Sequence, residues 1–244
     1  KFSREYPACL DDAFHFTTST YFHGDDLRKI NGIFFDGAER RYEEVIENDV
    51  YVIGVDVSAG VSLDYSAITV VSLSTLQVVY QYRSNTVPPV MFAEKVCDIG
   101  WEFNNAMVLC ESNNHGHVVL TRLRDFKYKN LWRDAKGRDW TTTVKSKLDA
   151  YETLREFVMA EIIESLCMTT LMELRSLTVE KVTPEAPRGL HDDMAMSLAL
   201  AYRCTRDIPR RVLRRAQENI VDDFIRARRT NRRKDNPIPW DRNQ

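Results

Sequence analysis

Four acidic side chains stand where an α/β fold collects reactive groups. Asp56 follows the apolar run 51–55 (YVIGV), Glu111 follows AMVLC (106–110), and Asp192 and Asp193 open the small-residue-rich segment HDDMAMSLALAYRC (191–204). Functional groups gather beyond strand ends, where the backbone turns and solvent enters. Carboxylates brought to one such edge repel each other unless a cation lies between them. Hard divalent ions suit oxygen ligands, and Mg²⁺ in particular keeps waters and accepts phosphate oxygens. Two such ions, about 3.5–4 Å apart, would bind the attacking water and the leaving oxygen of a phosphodiester. An aspartate at the tip of a buried strand thus acquires a reason: it is a metal ligand.

Each position taken alone has a plainer reading. An Asp after a strand is commonly a turn former. Asp192 is equally a helix N-cap, with Asp193 in the favoured first turn. Glu111, between an apolar strand and SNNHG, is harder to assign to a turn. Asp64 fits a hairpin turn. His115, His117 and His191 lack the spacing of a transition-metal site. Five scattered cysteines (Cys9, Cys97, Cys110, Cys167, Cys204) form no CxxC pair, which argues against zinc and a disulfide framework and for a reduced, intracellular setting.

Several elements must position the acids. Residues 51–55, 66–72 and 77–82 read as three strands joined by short turns, the start of an antiparallel meander. The segment PPVMFAEKVCDIGWEF opens with prolines and repeats apolar residues at helical spacing. After the strand 106–111, HGHVVLTRLRDF reads as a helix, and 130–133 as a further short strand. A longer helix is expected from about 147 to 166, then a late strand over 177–182 and a closing core helix from 191. Three strands in a row followed by alternating helices and strands predict a mixed α/β sheet with helices on both faces.

The 244 residues, 43% hydrophobic with net charge −2, allow one domain of roughly 150–200 residues plus extensions. No apolar run approaches the ~18 residues that cross a bilayer, so no membrane association is expected. The N-terminus lacks a signal-peptide layout, and the missing initial Met suggests a piece of a longer chain. Residues 1–48 read as a connecting arm with apolar side chains that pack on something. Residues 210–234 hold ten Lys or Arg against three acids, a possible nucleic-acid contact or simply a solvated helix. No GxxxxGK[ST] occurs, so there is no P-loop.

Taken together, GVDVSAGVSLDYSAITVV, VLCESNNHG and HDDMAMSLALAY, in that order, resemble the nuclease domain of the large terminase subunit of tailed bacteriophages. REYPACLDDAFHFTTSTYF is similar to the segment leaving the ATPase domain in that family, and WTTTVKSKLDAYETL to its threonine-then-lysine stretch. The resemblance covers about residues 4–205. It implies an RNase H-like fold: a five-stranded mixed sheet, three antiparallel strands and then parallel ones, flanked by helices. It divides the chain into an arm from a preceding ATPase domain (1–48), a nuclease domain (49–205) and a basic tail (206–244). It further implies a two-metal endonuclease using Mg²⁺ or Mn²⁺ that cuts concatemeric double-stranded DNA during packaging in the host cytoplasm. Its partners would be the portal protein, the small terminase subunit and the ATPase domain of the same chain. By motif, Asp56, Glu111 and Asp193 carry catalysis, and the same three with Asp192 hold the ions. Lys145 and Lys147 at the helix start, and Arg210, Arg211, Arg214 and Arg215 in the tail, are the expected DNA contacts. Backbone contacts of this kind make cutting sequence-independent and steeply salt-dependent.

Other classes share parts of this pattern. A Holliday-junction resolvase has the same fold and acidic cluster but stands without the arm. A sugar-kinase or actin-type ATPase would explain GVDVSAG as a phosphate loop, yet needs a second half that is not found. A non-catalytic module docking on DNA or portal would leave the acids without work.

Overall fold

The structure, a computed structural model, describes residues 20–34, 37–59, 64–179, 182–209 and 212. In chain order its first elements are α1 (Gly24–Leu27), β1 (Asn31–Ile33), β2 (Glu39–Arg41), β3 (Tyr51–Asp56), β4 (Ser66–Ser72) and β5 (Val78–Ser84). Then come α2 (Pro89–Glu102), β6 (Met107–Cys110), α3 (Gly116–Asp125), α4 (Val144–Met159) and β7 (Ser165–Cys167). The chain continues through α5 (Met168–Ser176), β8 (Thr178–Val179), β9 (Pro184–Glu185) and α6 (Asp193–Thr205).

β3, β4 and β5 are buried along almost their whole length, which is why their sequences are largely apolar and do not alternate. They form the antiparallel centre of a five-stranded sheet in the order β2-β5-β4-β3-β6, with β6 parallel to β3. Helices cover both faces. On one, Ile53, Val55 and Ile68 pack with Phe92 and Val96 of α2 and Leu120 of α3. On the other, Val52, Val71 and Leu109 pack with Leu154 of α4 and with Leu198 and Ala199 of α6.

The expected mixed five-stranded sheet is therefore present, but its fifth strand is β2. That segment, ERR, lies within the stretch read as an arm and pairs antiparallel with β5. Its charged side chains suit an edge strand. The expected strand at 130–133 is reduced to one parallel bridge, Leu131 with Val108. The expected late strand is the two-residue β8, paired with β9 outside the main sheet. The long helix expected to reach 166 stops at Met159, where Glu161 takes a left-handed φ of 56°. The chain then forms β7, parallel to β1, and turns into α5. The residues that follow, 160–166 (AEIIESL), include no Gly or Pro and give no local sign of that break. Tyr21, Phe22 and Leu27 are buried, so this part of the arm does pack on the domain. No described helix is long and apolar enough to cross a membrane, and the four described cysteines are free and buried.

Candidate metal centre

Side-chain parity brings the acids to one face. In β3, Val52 belongs to the core beneath α6, and Gly54 and Asp56 follow on the same face at the two-residue period. Gly54 is where sheet and helix meet. A Cβ there would lie 2.0 Å from the Ser197 carbonyl oxygen and 2.4 Å from the Ala201 nitrogen. Only glycine lets α6 come down onto the strand, and that approach sets the helix N-terminus beside the Asp56 tip.

Glu111 leaves β6 on the same side as Leu109. Its backbone forms a parallel bridge with Trp140, and Ser112 N–H donates to the Trp140 carbonyl at 2.7 Å. The loop folds back so sharply that a Cβ on Gly116 would stand 1.7 Å from the Glu111 carbonyl oxygen. Asn113 Nδ2 donates to the Thr142 carbonyl at 2.9 Å. Thr143 and Ser146 then close a capping box that starts α4. Thus WTTTVKSK lies beside the Glu111 loop and delivers Lys147 into the site.

At the head of α6, Asp192 occupies the N-cap position but makes no side-chain cap bond. Lys147 Nζ instead lies 3.1 Å from its Oδ2, both side chains largely covered. Capping falls to Glu173 of α5, a buried carboxylate whose Oε2 accepts from the Ala195 N–H at 2.9 Å. Neither aspartate is therefore held by capping the helix. Asp193 Oδ2 accepts from the Tyr65 N–H at 3.3 Å and lies 3.6 Å from His191 Nδ1.

The electrostatics follow from this crowding. Burial drives the Asp56 carboxyl well above the ordinary carboxylate range, and the charges of Glu111, Asp193 and Asp192 push it the same way. Burial also raises Glu111, opposed by hydrogen bonds from Thr142 and Asn113 and by the Lys147 charge. Asp193 is pushed up to about 6, first by burial, with Asp192 and Asp64 adding to the rise and the Tyr65 amide and His191 opposing it. Glu173 goes to about 8, chiefly through burial. Asp56, Glu111, Asp192 and Asp193, distant in sequence, thus share one electrostatic neighbourhood. Among the described residues no group of three or more histidine, cysteine, aspartate or glutamate side chains stands close enough together, as placed, to hold a metal ion. The donor set is all hard oxygen, and the orphaned Tyr151 hydroxyl sits within the field of the same acids. That chemistry fits a hard divalent cation.

Of the expected DNA contacts, Lys147 is engaged with Asp192 and Lys145 is exposed at the start of α4. Arg210, Arg211, Arg214 and Arg215 lie outside the described residues. Glu173 was missed from sequence. Its only signal is a lone acid on an apolar helix, flanked by Leu171, Leu174 and Leu177.

A mixed five-stranded sheet in the order β2-β5-β4-β3-β6 with helices on both faces is an RNase H-like architecture. The chain is similar to the large terminase nuclease of thermophilic phage G20c solved with bound magnesium, with TM-score 0.64 and 20% identity over 77% of this chain and 97% of that one. It is also similar to the large terminase nuclease domain of Thermus phage P74-26, with TM-score 0.61 and 20% identity over 72% of this chain and 92% of that one. Against the large terminase of bacteriophage HK97 the TM-score is 0.54, with 9% identity over 77% of this chain and 44% of that one. Further structures of the G20c nuclease carry cobalt or zinc. No protein-family model matches the chain. At these identities the likeness establishes the fold, and the expected RNase H-like sheet is borne out.

Proposed function

We propose that this chain is the nuclease domain of a viral DNA-packaging terminase, an endodeoxyribonuclease that hydrolyses concatemeric double-stranded DNA with two divalent ions. The feature that supports this reading is the shared electrostatic neighbourhood of Asp56, Glu111, Asp192 and Asp193 on the α6 side of the sheet, with Asp56 pushed up by burial and by its three acidic neighbours. Magnesium bound to the G20c nuclease supports the same choice of ion.

Asp56, Glu111 and Asp193 are the catalytic ligands, with Asp192 beside them. The ions, when bound, supply a polarised water and neutralise charge on the phosphoryl oxygens. The chain's own residues orient and charge the site. β3 and β6 fix two of the carboxylates, and the positive end of the α6 dipole favours ionised Asp193. The Tyr65 N–H orients Asp193, and Lys147 balances Asp192 from the α4 side. On this reading residues 1–48 lead from an ATPase domain and lend β1 and β2 to the nuclease fold of 49–205, and 206–244 form a basic tail. The site works in the host cytoplasm on DNA delivered through the portal, with the small terminase subunit as a further partner.

The test is incubation with supercoiled plasmid in Mg²⁺ or Mn²⁺, with and without EDTA. Metal-dependent nicking and linearisation are expected. Asp56→Asn should lower the rate at least about 100-fold while the melting temperature holds or rises, since a repelled carboxyl is removed. A large loss of stability in that variant would mark Asp56 as a structural cap. Cleavage confined to four-way junctions would favour a resolvase, and tight DNA binding without cutting a docking module.

A further inference from the structure

Beside the acids stands a cation that the mechanism above does not use. Arg83 lies on β5 in the same cross-strand row as Asp56, because Asp56 pairs with Ala67 and Ala67 pairs with Arg83. Directly paired residues project from the same face, so Arg83 stands on the α6 side of the sheet, two strand spacings or about 10 Å from Asp56 between Cα atoms. Its guanidinium carbon sits 4.0 Å from the centre of the Tyr65 ring. Tyr65 is tied to the site twice, through its N–H to Asp193 at 3.3 Å and through an edge-to-face contact with His191 at 5.6 Å between centroids.

Other arginines of this domain find carboxylates: Arg203 meets Asp149 at 2.5 Å and Arg138 meets Asp134 at 2.6 Å. Among the described residues no carboxylate forms a salt bridge with Arg83; its charge acts on the buried Glu173 from a distance, and its guanidinium stacks on the Tyr65 ring. Stacking uses the face of the guanidinium and leaves its N–H edge for a planar or tetrahedral oxyanion, the bidentate geometry that arginine offers phosphate. Arg83 also lines a surface cavity of about 190 Å³ with Phe34, Gly37 and Met168, so there is room beside it. A strand of nucleic acid rising ~3.4 Å per nucleotide covers the distance from the acids to Arg83 in about two to three nucleotides.

We propose that Arg83, stacked on Tyr65, is a positioning residue that grips a backbone phosphate two or three nucleotides from the bond presented to the acids. This rests on the reading of the acids as a phosphodiester-hydrolysing centre. The occupant is a phosphate of the DNA substrate itself, so Arg83 sets where the strand lies and not how the bond breaks.

Arg83→Ala, Arg83→Lys and Tyr65→Leu would be compared with the unaltered chain by duplex-DNA binding across a salt series in EDTA, and by plasmid nicking in Mn²⁺. Melting temperature and its shift on adding Mn²⁺ check folding and the metal site. The expected result for Arg83→Ala is binding about 10-fold weaker, a log–log salt slope reduced by about one, and KM raised more than kcat is lowered, with the Mn²⁺ shift kept. Arg83→Lys should keep most of the slope while losing affinity, because charge survives and the fork does not. Should Arg83→Ala fail to fold, Arg83→Lys and Tyr65→Leu carry the comparison. Wild-type slope and KM in folded variants would overturn the subsite while leaving the nuclease standing. An unaltered chain that neither cuts nor binds DNA would overturn both.

Discussion

Tyr151 is fully buried, yet its hydroxyl has no hydrogen-bond partner among the described residues. Leaving such a group unmade costs roughly 1–3 kcal/mol. Tyr151→Phe should therefore raise stability by about 1 kcal/mol, read from urea unfolding; a loss instead would mean that the hydroxyl is satisfied in solution. Glu173 and Asp193 make a second test, because both carboxyls are pushed up, to about 8 and about 6, from ordinary values of 4.5 and 3.8. Between those values the folded chain holds protons that the unfolded chain has released, so stability falls as pH rises. In EDTA the protein should be more stable at pH 5 than at pH 8. Glu173→Gln keeps an acceptor for the Ala195 N–H and removes the ionisation, so it should flatten the fall between about 4.5 and 8. An identical pH slope in that variant would show that Glu173 is not the group responsible.

Elements meet here through small residues. The contact of β3 with α6 at Gly54 involves backbone atoms of Ser197 and Ala201, which cannot swing aside as a flexible side chain would. Gly54→Ala should cost about 3 kcal/mol or more, beyond the usual range for overpacking, and should also part Asp56 from Asp193. Differential scanning calorimetry would record the first effect, and a smaller Mn²⁺-induced shift the second. A polar row runs beneath the same helices. Thr69 and Ser197 hydroxyls lie 2.9 Å apart, and Gln81 bonds Thr69, Thr170 and the Tyr42 hydroxyl. Nothing in a β-strand pattern announces that row, because each partner arrives from a different element.

For the whole molecule, a site built of repelling acids makes stability depend on divalent cations. A ligand that binds only the folded state at about 100 times its Kd adds about 2.7 kcal/mol. Saturating Mn²⁺ should raise the melting temperature of the unaltered chain by several degrees and that of Asp56→Asn much less. Equal shifts in the two would place the ions elsewhere.

The strands expected over 51–55, 66–72 and 77–82 lie within a residue or two of β3, β4 and β5, since burial on both faces favours runs rich in β-branched and aromatic residues. The acids at their ends and the helix of α6 were equally legible, because Asp56, Glu111 and the HDD pair sit at breaks in hydrophobic pattern. The charged strand β2 could not be read, for it exists by pairing with β5. Nor could the pair β7 and α5, which follow α4 with no Gly or Pro to mark the break. Tertiary structure alone decided that Glu173 caps α6 in place of Asp192, that Lys147 faces Asp192, and that Arg83 shares a row with Asp56. Each of these depends on strand register and helix docking, and such long-range choices leave no trace in the spacing of neighbouring residues.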